Sequence, residues 1–493
     1  MNIQIIMVLA YLIINLAISF IFTKQNKGTK AYFLAQGNLG VLLIFSLAFS
    51  ENISAGTLVG AATTGFTTGF ASGWATWGQS IGAIIFLIFV GKFYRIMGRE
   101  KGAMTIAACY NYMFDTKSRI VMLCIAALNY SILFAVAPAA VANVCGPLFP
   151  MLSRTALIWI VGILFIVMTI TGGLKGIAYM NTVNSAILYI CMIILAVATV
   201  REAGGFGNMM DTLPATYFSP FTPDVGSTLG AGIGTGIGML AASVFANATF
   251  SAESYRAAKR GIILVIIFGA AFAFLPSIVG IAAQVIMPEA EASTILYTIS
   301  NHIHPVLGGL ACMVTCAACF SSGPAFLLLV SSTCTKDLYC VVKPDATEQQ
   351  QMRFSRLVSI IIGVIFIYFG SQSSSLLNTI LGAFQIRSVV GFALIIAIFW
   401  KGMTKGAAFW SMLIGGIVAA VWYFLGNPNG IQPVWPAAIV TIGLALVISL
   451  IERKNYCGYD KYREMLARFP SVEEKDLAAA AARHAARGAE THK

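Results

Sequence analysis

Long apolar runs fill most of the chain, separated by short polar stretches. Thirteen are readable, at about 3–22, 41–65, 71–97, 118–149, 155–173, 175–200, 229–252, 261–287, 305–336, 352–372, 375–400, 404–426 and 432–452. A helix needs about 20 apolar residues to cross the hydrocarbon of a bilayer. Runs of that length, unbroken rather than alternating, predict α-helical spans and argue against a β-barrel. The expected fold class is all-α: a polytopic membrane protein with about 13 transmembrane helices.

The polar stretches between the runs are asymmetric in charge. One alternate set carries Lys24, Lys27 and Lys30, then the Lys92–Lys101 cluster, Lys117 and Arg119, Lys175, Arg256 to Arg260, Lys336 to Arg356, Lys401 and Lys405, and finally Arg453 and Lys454. The other set has only Arg154 and Arg201 as basic residues, beside Glu202, Asp211, Asp224, Glu289 and Glu291. Basic loops stay in the cytoplasm, so the N-terminus is expected outside and the C-terminus inside. The first run has no basic residue before it and no cleavage-site pattern, and reads as a retained helix. The stretch 103–114 is too short to span and is expected at the cytoplasmic interface. The tail after Tyr456 reads as a loose cytoplasmic helix, too short for a kinase or nucleotide-binding domain.

Composition narrows the class further. Only 10% of the 493 residues are charged and 58% are hydrophobic, against about 25% charged in soluble domains. A soluble enzyme and a disordered chain are both excluded. The net charge of +12 follows from the basic loops and implies no nucleic-acid partner. The cysteines lie almost entirely inside apolar runs, and Cys316 and Cys319, with Cys312 one turn earlier, read as packing residues. No histidine falls in a span, no phosphate-binding loop is present, and no Ser, His and Asp constellation suggests an enzyme.

Two segments break the pattern. The second reads LLIFSLAFSENISAGTLVGAATTG, with Glu51 and Asn52 interrupting the apolar run. The seventh opens with GIGTGIG, Gly232 to Gly238. That run suits close helix packing or a loosened helix. Transporters break helices at mid-membrane so that free carbonyls can hold ions. The two irregular segments stand five apart, the spacing of two inverted five-helix repeats.

Several motifs together resemble the sodium:solute symporter family. YFLAQGNLG (Tyr32 to Gly40), SENISAGTLVG (Ser50 to Gly60), GGLKGIAYMNTVN (Gly172 to Asn184), SSGPAFLLLVSSTCTKDLY (Ser321 to Tyr339) and FWKGMTKGA (Phe399 to Ala407) occur in the family's order. The resemblance implies a leucine-transporter-type fold with one leading helix, two inverted five-helix repeats and two trailing helices. The chain then divides into 1–40, 41–200, 229–400, 404–452 and a tail at 453–493. Three departures stand out: Asn181 where the family has an Asp, Asn184 where it has a Gln, and ESYRAAK (Glu253 to Lys259) without the family's Gln-Arg pair.

The resemblance also implies a sodium site. Carried over by motif, its ligands are the carbonyls of Ser50, Ile53 and Ala318 and the hydroxyls of Ser321 and Ser322. Neutral oxygens in a small cage suit a hard monovalent cation. The competing reading is that serines in membrane helices bond back to their own backbone.

Glu51 and Arg387 are the two charges expected well inside the spans, where each costs on the order of 3 kcal/mol or more. Either they pair to fix the fold, or Arg387 meets a substrate carboxylate and Glu51 a cation or ammonium group. Further cavity candidates are Thr57, Trp74, Trp77, Gln79, Asn129, Phe245, Asn247 and Gln385, with the tryptophans also fitting an interfacial belt. The expected function is sodium-coupled symport of a small polar organic solute, with an organic acid, amino acid or derivative favoured. A solute sensor and a proton-coupled symporter titrating at Glu51 are the alternatives. Sodium is the expected coupling ion, with no organic cofactor; lipid and the solute are the expected partners. The sequence carries no sign of oligomeric state.

Overall fold

The computed structural model describes residues 3–23, 28–222, 224–372, 376–476, 478–479 and 482. Nearly all of these are helical. Among them there are no strands, only isolated bridges from Leu39 to Ala252 and from Thr404 to Tyr456.

In chain order the principal helices are α1 (Ile3–Thr23), α2 (Val41–Asn52), α3 (Ala61–Thr68), α4 (Trp74–Ile85), α5 (Gly91–Glu100), α6 (Ile106–Met113), α7 (Thr116–Cys145), α8 (Arg154–Glu202) and α9 (Val225–Met239). There follow α10 (Ser243–Ser251), α11 (Tyr255–Phe272), α12 (Leu275–Ile286), α13 (Pro305–Thr333), α14 (Glu348–Ser371), α15 (Leu376–Phe399), α16 (Lys405–Phe424), α17 (Val434–Glu452) and α18 (Tyr459–Ala467).

Among the described residues, eleven helical stretches are long and apolar enough to span a membrane. The pair Val41–Asn52 and Gly56–Thr68, bent by 53°, makes a twelfth. The expected thirteenth is hidden in α8, whose 49 residues would run about 74 Å as one rod at 1.5 Å per residue. The hydrocarbon layer is only about 30 Å thick. Gly173 interrupts α8 with φ 53° and ψ −171°, a conformation open to glycine and costly for other residues. The runs expected at 155–173 and 175–200 are the two limbs on either side of it.

Helix α13 is the centre of the molecule. It is buried over nearly its whole length and packs on α7, α8 and α1. The outer helices α1, α14 and α17 turn apolar residues such as Ile13, Ile361 and Ile439 outward, as lipid-facing helices must.

The structure adds detail to three local expectations. The glycine run in α9 is regular helix, and it packs backbone to backbone on α4. A Cβ on Gly78 would come within 2.2 Å of the Gly232 carbonyl oxygen, and one on Gly82 within 2.2 Å of that of Gly236. The run is therefore a packing surface. The stretch 103–114 forms α6, and its inner face (Ala107, Cys109, Tyr110 and Met113) is buried, with Tyr110 OH donating to the Val390 carbonyl at 2.9 Å. That face packs into the body of the protein. The tail is also docked: α18 and the helical residues 469–476 lie against α5, α6 and α11.

Candidate ion and solute site

Both irregular segments break their helices, by different means. In the first, Ile53 leaves the helix with φ −115° and ψ 86°. In a continuous helix the Ser54 N–H would bond to the Ser50 carbonyl. Here it donates to Thr57 Oγ1 at 2.8 Å. The Thr57 hydroxyl in turn lies 3.0 Å from the Asn52 carbonyl and 3.1 Å from that of Ser54. A π-helical turn at Gly56–Gly60 resumes the helix. Gly56 and Gly60 are needed because α15 approaches so closely: a Cβ on Gly60 would stand 2.7 Å from the Cβ of Leu377.

In the second, the break lies just beyond the glycine run, at Leu240–Ala242. Leu240, Ala241 and Ala242 donate to the carbonyls three residues back, and Ala242 is extended at φ −75°, ψ 114°. Tyrosines from other helices take the freed groups. Tyr94 OH donates to the Leu240 carbonyl at 3.0 Å, and the Val244 N–H donates to Tyr130 OH at 3.3 Å.

One buried charge pair joins the two breaks. Glu51, at the end of α2, forms an ion pair with Nη1 of Arg387 on α15, and both side chains are wholly buried. Nη1 also lies 3.0 Å from Tyr130 OH and 3.5 Å from Asn129 Oδ1. Tyr130 OH stands 3.3 and 3.4 Å from the two Glu51 carboxylate oxygens. On the other side, Arg387 Nη2 reaches Met239 Sδ at 3.5 Å, at the end of α9. The guanidinium lies over the Phe384 ring, 4.9 Å from its centroid. Among the described residues Arg387 Nε has no hydrogen-bond partner, and it faces Gly238, where a Cβ would stand 3.4 Å away. A charge this deep needs a partner, and the structure gives each charge the other.

The expected sodium ligands fall on neighbouring elements. The Ser321 and Ser322 hydroxyls donate to the Ala318 carbonyl at 2.9 and 2.8 Å, which is the back-bonding of the competing reading and also brings three oxygens together on α13. Helix α13 packs on α2. The Ser50 carbonyl, released from its helical partner as described, and buried Ile53 lie at the end of α2. Pro324 follows within α13, where it removes an N–H from the ladder.

The other candidates divide. Thr57 is committed to the first break. Gln79 on α4 is buried and neither of its amide atoms is hydrogen-bonded among the described residues, and the same holds for the Asn52 amide and the Ser80 hydroxyl. Asn52 Nδ2 and Ser80 Oγ both lie close to Gly269 on α11. Buried polar atoms without partners are rare, so Asn52, Gln79 and Ser80 are candidates for contact with cargo. Asn129 secures α7 to α15, donating to the Ala383 carbonyl at 2.7 Å. Three candidates do not join the Glu51–Arg387 cluster by hydrogen bonds. Asn247 Oδ1 accepts from Ser251 at 3.2 Å, Gln385 Nε2 donates to Gln432 at 2.9 Å, and Phe245 packs edge-on against Phe86. Trp74 and Trp77 are partly exposed, with their indole N–H groups on the carbonyls of Pro220 and Ala270; this fits the interfacial belt. Tyr130 is not among the residues that the sequence singles out. Its signal is its place beside Asn129 in the middle of an apolar helix.

The chain is similar to known proteins over most of its length. The model of the sodium:solute symporter family matches residues 32–415. The sodium/pantothenate symporter of Escherichia coli K12 is 23% identical over 469 residues, covering 91% of this chain and 96% of that protein. The sodium/proline symporter of the same strain is also 23% identical, over 93% of this chain and 95% of its own. Among solved structures, a Na+-coupled sialic acid symporter superposes with a TM-score of 0.78 at 18% identity, over 93% of this chain and 98% of that one. MhsT in complex with L-phenylalanine gives a TM-score of 0.54 at 16% identity, over 84% and 99% of the two chains. At these identities the structural matches show the fold, which is the leucine-transporter type. The family model covers well over half of the chain, so this protein belongs to the sodium:solute symporter family: a multi-pass membrane transporter of small molecules, not an enzyme, with sodium as its coupling ion.

Proposed function

We propose that the cargo is a small organic solute bearing a carboxylate, and that a zwitterion such as an amino acid or derivative suits the site best. The observation that carries this is the free Nε edge of Arg387 beside the second helix break. A carboxylate taking that edge forms a charge-assisted bond while Glu51 keeps its own contact with Nη1. The Glu51–Arg387 pair sums to zero, so a net-neutral solute leaves no uncompensated charge in the apolar interior. Asn52, Gln79 and Ser80 supply neutral polar contacts for the rest of the solute. Sodium is held by the carbonyls of Ser50, Ile53 and Ala318 and the hydroxyls of Ser321 and Ser322. Its binding favours one of two alternating arrangements of the broken helices. The two repeats are residues 41–200 and 229–400, each opening with its broken helix. The Lys- and Arg-rich face is cytoplasmic, which leaves the N-terminus outside and the C-terminus inside, and lipid covers the apolar outer helices.

The deciding experiment is a thermal-shift screen of small metabolites with and without sodium, followed by uptake of any hit in proteoliposomes. A zwitterionic or carboxylate solute that stabilises only with sodium is the expected result. Arg387→Gln should then abolish its uptake. Undiminished uptake in that variant overturns the carboxylate assignment.

A further inference from the structure

The described part of the tail is fastened to the transport core by a second buried charge cluster. Asp476 is buried, and its Oδ2 accepts from Arg95 Nε at 2.7 Å and from the Tyr255 N–H at 3.3 Å. Its Oδ1 pairs with Arg99 Nε at 2.9 Å. Arg95 is itself wholly buried, and its Nη1 donates to the carbonyls of Thr249 and Ala252 at 2.9 and 2.8 Å. Those carbonyls close the C-terminal end of α10, where the helix dipole favours a cation. One carboxylate thus ties the tail to α5, to the start of α11 and, through Arg95, to α10.

Other contacts hold the same stretch down. Tyr462 OH donates to the Phe89 carbonyl at 2.5 Å and Lys461 Nζ to that of Tyr112 at 2.7 Å. The Phe469 ring meets Tyr255 edge-on at 5.0 Å, with Lys92 above it at 4.9 Å. Helix α10 is the short limb of the second broken helix, and its opposite end rests on Tyr130. To move relative to α5, it must leave Arg95 or carry Arg95 away from Asp476.

We propose that residues 459–476 are a strap that holds α10 against α5 and governs how readily the path opens on the Lys- and Arg-rich face. Asp476 is its positioning residue, acting through Arg95. A membrane transporter of this length needs no such contact to complete its spans, which end at Glu452. The strap gives the tail leverage on a moving part of the carrier.

The test uses the full-length protein in proteoliposomes and hydrogen–deuterium exchange, in sodium chloride and in choline chloride, so that no identified solute is required. In Asp476→Asn, amides of 243–252 should exchange about tenfold faster than in the wild type, while those at the centre of α13 stay unchanged. Asp476→Glu should restore protection to within about twofold. Phe469→Ala, at the edge of the strap, should give an intermediate gain and serves if Asp476→Asn does not fold. Unchanged protection of 243–252 while the amides of 459–476 are exposed overturns the proposal. So does a tail that stays docked in Asp476→Asn. The sodium-dependent thermal shift should persist in every variant. Its absence from the wild type would count against the ion site and leave the strap result standing.

Discussion

The two helix breaks do the same topological job with opposite resources. The first is self-contained: Thr57, three residues on, caps the Ser54 N–H, and glycines admit the neighbouring helix. The second depends on other helices, with Tyr94 and Tyr130 taking the groups freed at Leu240 and Val244. A break that carries its own cap keeps its shape when its neighbours shift, as a set of ion-binding carbonyls must. A break capped from outside changes its hydrogen bonds when those neighbours move, which suits a gate. Glu51, Tyr130 and Arg387 connect the two.

The connection is the first thing to break. Glu51→Gln leaves Arg387 buried without a counter-charge, and a loss of about 3–5 kcal/mol is expected. Thermal unfolding in detergent should show it. The double variant Glu51→Gln/Arg387→Gln should recover more than half of the loss, and a stable single variant would deny the pair its role. Next in size is the proposed ion site at the self-capped break. Replacing Ser321 or Ser322 with Ala should raise the sodium half-saturation of uptake about tenfold, equivalent to about 1.4 kcal/mol. An unchanged value in both variants would sever the ion from this break. Tyr130→Phe removes one hydroxyl that serves both breaks and should cost about 1–2 kcal/mol. Exchange of the Val244 amide should rise more than that of Ile53, and equal responses would contradict the contrast drawn here.

The smallest effect concerns pH at the N-terminal end of α9. Asp224 caps that helix, accepting from the N–H and hydroxyl of Ser227 at 2.8 and 2.7 Å. These bonds, the backbone one first, hold its carboxyl below the ordinary carboxylate value. Its folded value is depressed, so its contribution is complete above the unfolded value of about 3.9. That contribution fades as pH falls through the folded value. Amide exchange in the first turn of α9 should quicken over that acid range, and Asp224→Asn should flatten the change.

Much of this was legible in the chain. The apolar runs coincide with the candidate spans among the described residues, and the polar residues at 51–52 mark the first break because they interrupt an apolar run. The second break was misplaced by a few residues. Its own sequence, Leu240-Ala241-Ala242, is bland, and the tyrosines that make it are distant in the chain. The glycine run just before it is the close-packing surface that one of its two readings expects. Arg95 was read as a loop cation because it sits at the end of a span. Its partner lies 381 residues later, in a tail whose polar composition suggested solvent. Sequence reveals a buried charge only where its surroundings are apolar on both sides, as with Glu51 and Arg387.

The pairing of those two charges has an electrical consequence. A membrane potential does work only on net charge, about 2.3 kcal/mol per elementary charge per 100 mV. A carrier whose core charges cancel returns empty almost indifferent to the voltage. With a zwitterionic passenger, the voltage pulls only on the sodium ions aboard. The current carried per solute molecule would then count them directly.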